Sequence, residues 1–188
     1  MEGAATPDLN RRPIGTHPDL AGVVELRSGG VYEVGGDARH GLLLTLLAGP
    51  SRTGAWCAVV GVPDLGVVAA SEAGLNLERT ILVPHPGEAW LEVTAALLDV
   101  AGVVAVRPPG RVAEGIAAKV AARLRKRGST LISLGPWPRS EVRLSGDPSW
   151  VGLGRGWGHL VACHRVVTAH GAFGVPARPA DAGLRRIG

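Results

Sequence analysis

The chain has 188 residues, of which 46% are apolar, and a formal charge of +4. That length is enough for one domain with a real core, the apolar content excludes global disorder, and no apolar stretch reaches the roughly 18–20 residues of a membrane span. The opening twenty residues hold no apolar stretch of the kind a secretory signal needs, so a cytoplasmic protein is expected.

In chain order, residues 1–20 are rich in Pro and Asp without periodicity and read as a flexible lead. "GGVYEV" reads as a strand entering a glycine turn, and "GLLLTLLAG" as a short helix opened by Gly41. "GAWCAVVGV", Gly54 to Val62, is a continuous β-branched run, which marks a strand buried on both faces. "DLGVVAASEAG" reads as a helix with Asp64 as its N-cap and Gly74 as its stop. "RTILVP" is a third strand, "GEAWLEVTAALLD" a helix with Trp90, Val93 and Leu97 on one face, and "VAGVVAVRPP" a fourth strand ended by Pro108. Arg111 to Arg127 is the clearest helix, striped by Val112, Ile116, Val120 and Leu124 at a spacing of four. "STLISLG" is a fifth strand.

Strand and helix alternate at short intervals to this point, so the sheet should be parallel and covered by helices. After Gly135 the rhythm changes: "EVRLSG" and "GHLVACHRVVTAHG" follow without a helix between them and predict antiparallel strands at the sheet's edge. From Gly171 onward the chain is basic with no core pattern, which predicts disorder. The expected division is a lead over 1–20, one α/β domain over 21–168 and a basic tail over 169–188.

Charge is distributed unevenly. Residues 1–112 hold 8 arginines against 12 carboxylates, a net of −4, whereas residues 113–188 hold 12 cations against 4 carboxylates, a net of +8. The split points either to an acidic partner for the C-terminal half, nucleic acid being the commonest, or to a solvated basic face. Lys119, Arg123 and Lys126 share one edge of the long helix, with Arg125 and Arg127 near its end. They could line phosphates or complement the helix dipole. "SWVGLGRGWGHL", Ser149 to Leu160, sets Trp150, Arg155 and Trp157 among glycines. It suits single-stranded DNA, a protein hot spot or a cover for the sheet edge. Arg178, Arg185 and Arg186 in the tail could fold onto a partner. Cys57 and Cys163 make no disulfide framework and fit a reducing compartment. His159 and Cys163 lie four apart on an expected strand, but two ligands do not make a zinc site, so neither metal nor cofactor is expected.

Gly36-x-x-x-x-Gly41 has the spacing of a Walker A loop, G-x-x-x-x-G-K-[ST]. In such a loop the helix N-terminus cradles phosphates, lysine reaches the β and γ oxygens, and Ser or Thr holds Mg²⁺. Here Leu42 and Leu43 stand in those two places. With parallel βα units and late antiparallel strands behind that loop, the chain resembles the RecA-type ATPase core from about Gly30 to Val167. Within that superfamily, "GVYEVGG", "LLAGPSRTGAWCAVVG", "GLGRGWGHL" and the run from "RPPGRV" to "RGSTLISLGPWP" are most similar to ImuA-prime, the small RecA-like proteins of high-GC bacteria.

The RecA resemblance implies two further catalytic places, and both have lost their chemistry. A glutamate belongs after the second strand, where Gly61-Val62-Pro63 stands, and a Mg²⁺-binding aspartate belongs at the end of the fourth, where Arg107 stands. Three requirements of phosphoryl transfer fail together, so no ATPase and no other enzyme is expected. Leu42 and Leu43 should pack inward, although backbone amides beside Arg39 and Arg107 could still hold an anion. The ImuA-prime resemblance implies an accessory role in DNA-damage-induced mutagenesis. The protein would bind the Y-family-like protein ImuB and, through it, an error-prone C-family polymerase and the sliding clamp, associating with the nucleoid after damage. A SulA-like inhibitor of the tubulin-like division protein and a stand-alone module for single-stranded DNA are the alternatives.

Overall fold

The structure is a computed structural model that describes residues 11–151, 162–171 and 180–186; of residues 149–151, 162–165 and 180–186 it describes the backbone. The elements are β1 (Val31–Gly35), α1 (Arg39–Arg52), β2 (Cys57–Val60), α2 (Val67–Glu72), β3 (Thr80–Val83), α3 (Trp90–Leu97), β4 (Val103–Val106), α4 (Glu114–Arg127), β5 (Thr130–Leu134), β6 (Val142–Val151), β7 (Ala162–Gly171) and β8 (Ala180–Arg186). Among the described residues the strands form one sheet in the order β3-β2-β4-β5-β1-β6-β7-β8. The pairs from β3 to β6 are parallel, and β7 and β8 are added antiparallel at the far edge. This is the expected α/β architecture: a mostly parallel sheet flanked by helices, with antiparallel strands at its C-terminal edge.

Every residue of β2 and β4 is buried. Cys57 and Val59 face one core layer with Leu42, Leu43 and Leu47 of α1, while Ala58 and Val60 face another with Leu98, Val120, Leu124 and Trp137. A strand covered on both sides has no polar face to alternate with, so its sequence is continuously apolar. α4 buries Ala117, Val120 and Leu124 and ends at Gly128, whose φ of 69° lets its N–H reach Leu124 O, the usual left-handed stop.

Several boundaries differ from the sequence expectation; α4, expected from Arg111, starts at Glu114, so Val112 of the predicted stripe lies ahead of the helix. Residues 11–20, expected within a flexible lead, are tied down: Ile14 N donates to Leu26 O, Pro13 bridges Arg27, Arg11 pairs with Glu141 at 2.7 Å, and Leu20 is fully buried. They hold by backbone hydrogen bonds and scattered apolar anchors, neither of which gives a periodic pattern. α1 starts at Arg39 and runs past Pro50, which lies inside its last turn. β6 continues through Trp150 to Val151, so Trp150 lies on a strand rather than in a loop. Within β6 only Val142–Ser145 pair with β1, and beyond them, on the edge β1 leaves free, a proline such as Pro148 is tolerated within a strand. Ala180–Arg186, expected to be disordered, pairs along β7, whose outer edge offers it a ladder.

Candidate functional site

The C-terminal ends of β1, β2 and β4 converge where a sheet of this kind places its ligands. β1 passes into α1 through only Gly36, Asp37 and Ala38. Gly36 has a φ of +80°, and a Cβ on it would lie 2.7 Å from Gly146 O and 3.0 Å from Gly146 N, while Ala38 N donates to Gly146 O at 2.9 Å. The glycine is required both by the left-handed turn and by the backbone of β6 lying against it. Gly36→Ala is expected to lose about 2–3 kcal/mol of stability, measured as a lower urea midpoint with an unchanged slope. A midpoint equal to wild type would show that the turn relaxes freely.

Gly41 sits in the first turn of α1, where its carbonyl accepts the Thr45 hydroxyl at 2.9 Å. Leu42 and Leu43 follow, both fully buried in the layer beneath the helix, as the sequence led us to expect. Arg107 follows β4, its N–H bonded to Val60 O. Its guanidinium donates to Asp64 Oδ1 at 2.8 Å, and its other terminal nitrogen lies 2.6 Å from His40 Nε2. His40 Nε2 is also 3.2 Å from Asp64 Oδ2. Asp64 does not cap α2, whose N-cap is Gly66; it serves as the counter-ion of Arg107 instead. The Arg107 hydrogen bond holds the Asp64 carboxyl below the usual range. Burial, with Arg107 and Arg39 nearby, lowers His40, although Asp64 pulls the other way. Beside this cluster Gly61 has a φ of +73°, and a Cβ on it would lie 2.7 Å from Arg107 O.

The end of β4 is therefore occupied by a partly exposed cluster of Arg107, Asp64 and His40. Its three side chains come from the first turn of α1, the β2–α2 connection and the end of β4. Sequence reading found Arg107 but missed Asp64 and His40. The available signal was an arginine at a buried strand end, which needs a carboxylate from a neighbouring connection, and Asp64 follows the adjacent strand β2.

The basic edge of α4 is divided. Arg123 makes a two-pronged contact with Asp99, Nε to Oδ1 at 2.9 Å and Nη2 to Oδ2 at 2.5 Å, and Arg127 Nε joins Oδ1 at 3.0 Å. The Arg123 hydrogen bond holds the Asp99 carboxyl low. Lys119, Arg125 and Lys126 are exposed, so the stripe has lost Arg123 to a structural contact. Trp150, Cys163 and Arg185 occupy one register row across β6, β7 and β8, and Arg186 pairs with Ala162. Arg155, Trp157, His159 and Arg178 lie outside the described residues. Among the described residues no three His, Cys, Asp or Glu side chains are grouped to hold a metal, and no helix is long and apolar enough to cross a membrane.

Comparison with known proteins gives the context. An uncharacterized protein of Mycobacterium tuberculosis, Rv3395c, is 38% identical over 127 residues, 66% of this chain and 61% of that protein. The chain thus spans about three fifths of that relative's length. The crystal structure of SulA from Pseudomonas aeruginosa superposes with a TM-score of 0.47 at 22% identity, covering 56% of this chain and 97% of that one. The family described as the MT3502 N-terminal domain matches residues 19–139, from the buried end of the N-terminal segment through β1 to β5. The chain belongs to the MT3502 N-terminal domain family.

Proposed function

We propose that this protein is a non-catalytic RecA-like accessory protein of DNA-damage-induced mutagenesis, which binds ImuB and helps assemble a translesion complex with an error-prone C-family polymerase. One observation carries the non-catalytic part. The two positions that would hold phosphate and Mg²⁺ are fully buried leucines, and the third is an arginine bonded to Asp64 at 2.8 Å. Phosphoryl transfer depends on positioned cations and metal around the γ-phosphate, and such a site offers no lysine, while its carboxylate, Asp64, is engaged by Arg107. The mutasome assignment is supported by the segments that resemble ImuA-prime. On this reading the fold acts by presenting surface, and the protein is cytoplasmic and joins the nucleoid with its partner.

Co-purification with ImuB tests the reading. The full chain is compared with a truncation after Gly171, which keeps the whole of β7 and removes β8. The full chain is expected to retain ImuB through a 300 mM salt wash. Retention lost on truncation would place the contact in the C-terminal segment with Arg178, Arg185 and Arg186. Retention by both would place it on the remaining domain, and retention by neither would sink the assignment.

A further inference from the structure

His40 Nε2 has two neighbours of opposite character, a guanidinium nitrogen of Arg107 at 2.6 Å and a carboxylate oxygen of Asp64 at 3.2 Å. A guanidinium only donates and an ionised carboxylate only accepts. One ring nitrogen cannot serve both. Bare, it accepts from Arg107; carrying a hydrogen, it donates to Asp64 and turns that hydrogen toward the N–H of Arg107.

We propose that His40 is a proton-operated switch that exchanges partners, tying the first turn of α1 to the end of β4 when neutral and to the β2–α2 connection when protonated. Asp64 and Arg107 stay bonded to each other in both states, so the exchange moves α1 relative to a fixed pair. The charged groups facing the ring are Asp64 on the β2–α2 connection, Arg107 after β4, and Arg39 beside it on α1. The helix N-terminus adds a partial positive charge there. Burial and two arginines expel the proton, Asp64 attracts it, and the net balance lies below the ordinary histidine range. The ring is 35% exposed, which leaves it open to exchange with solvent. Protonation is therefore a disfavoured but reachable state. In it the first turn of α1 loses its direct link to Arg107 at the end of β4 and is held by Asp64 alone. The inference stands apart from any role in mutagenesis.

The test is the imidazole ¹⁵N spectrum of the full chain labelled at histidine, with the His40 signals assigned by their loss in His40→Gln. At pH 7.5 Nδ1 is expected to carry the proton and Nε2 to be bare, with a titration midpoint below that of an exposed histidine. Arg107→Met should raise the midpoint and Asp64→Asn should lower it further. The amide protection factors of residues 37–40, corrected for the intrinsic pH dependence of exchange, should fall with the same midpoint as the ring protonates. A hydrogen on Nε2 at pH 7.5, or a midpoint unmoved by Arg107→Met, would overturn the proposal. Should Arg107→Met fail to fold, the wild-type tautomer decides alone, with the amide protection factors of His40→Gln, corrected for the intrinsic pH dependence of exchange and expected to be constant across the titration, as its companion.

Discussion

Restoring the Walker lysine by Leu42→Lys is expected to cost about 3–5 kcal/mol of stability and to create no nucleotide site. Leu42 is fully buried, packed in the layer between α1 and the sheet. An ammonium placed there has no carboxylate to meet it, since Asp64 already serves Arg107, and it must either lose its proton or push the helix outward. The leucine's own burial, worth about 1.5–3 kcal/mol, is lost as well. Urea unfolding should show the drop. Adding Leu43→Thr should deepen it, because that position too is fully buried. Neither variant should melt higher in millimolar Mg-ATP, although a ligand at a hundred times its Kd would add about 2.7 kcal/mol. A rise in melting temperature with Mg-ATP would show that the loop still forms a phosphate cradle.

The second large effect lies on the other end of α1. A Cβ added to Gly49 would stand 2.6 Å from His17 N, 2.7 Å from Gly15 O and 2.8 Å from Thr16 C. All three are backbone atoms, so no side chain can swing aside. Gly15 meets the same contact from its own side, where a Cβ would lie 2.7 Å from Gly49 O. Gly49→Ala gains up to about 1 kcal/mol of helix propensity, yet a backbone separation of this size costs more. The expected net loss is about 2–4 kcal/mol, with faster amide exchange over residues 14–26 before global unfolding. Unchanged exchange in that segment would show that it packs on α1 without needing the two glycines.

The course of the chain from β1 to β5 was legible because strand and helix alternate at short intervals, with β2 and β4, covered on both faces, written as unbroken apolar runs. α4 was legible because Val120 and Leu124 recur at helical spacing against one core layer. Other features depend on partners distant in sequence. Residues 11–20 have no pattern of their own and gain order from Leu26, Glu141 and Gly49. Ala180–Arg186 has an ordinary tail composition and is a strand because β7 lies beside it. At the site, a local rule misled: Asp64 before an apolar run looks like a helix cap, whereas Arg107, just past the end of another strand, claims its carboxylate. Arg123 shows the same effect, since Asp99, from the end of a different helix, converts an apparent phosphate ligand into a brace.

The strand order also bears on how the chain is made. β1 is early in sequence but central in the sheet, where Val31 pairs with Leu131 and Tyr32 with Val142. Emerging from a ribosome at about 5–20 residues per second, β1 waits on the order of 5–20 seconds for its first neighbour. β2, β3 and β4 pair with one another and can assemble meanwhile beneath α3. Until β5 arrives, Val31, Tyr32 and Val34 have no strand to join, although the helix they lead into can already pack on β2 and β4. The nascent chain therefore carries an unsatisfied apolar strand through most of its synthesis, and its solubility over that interval rests on whatever shields that strand in the cell.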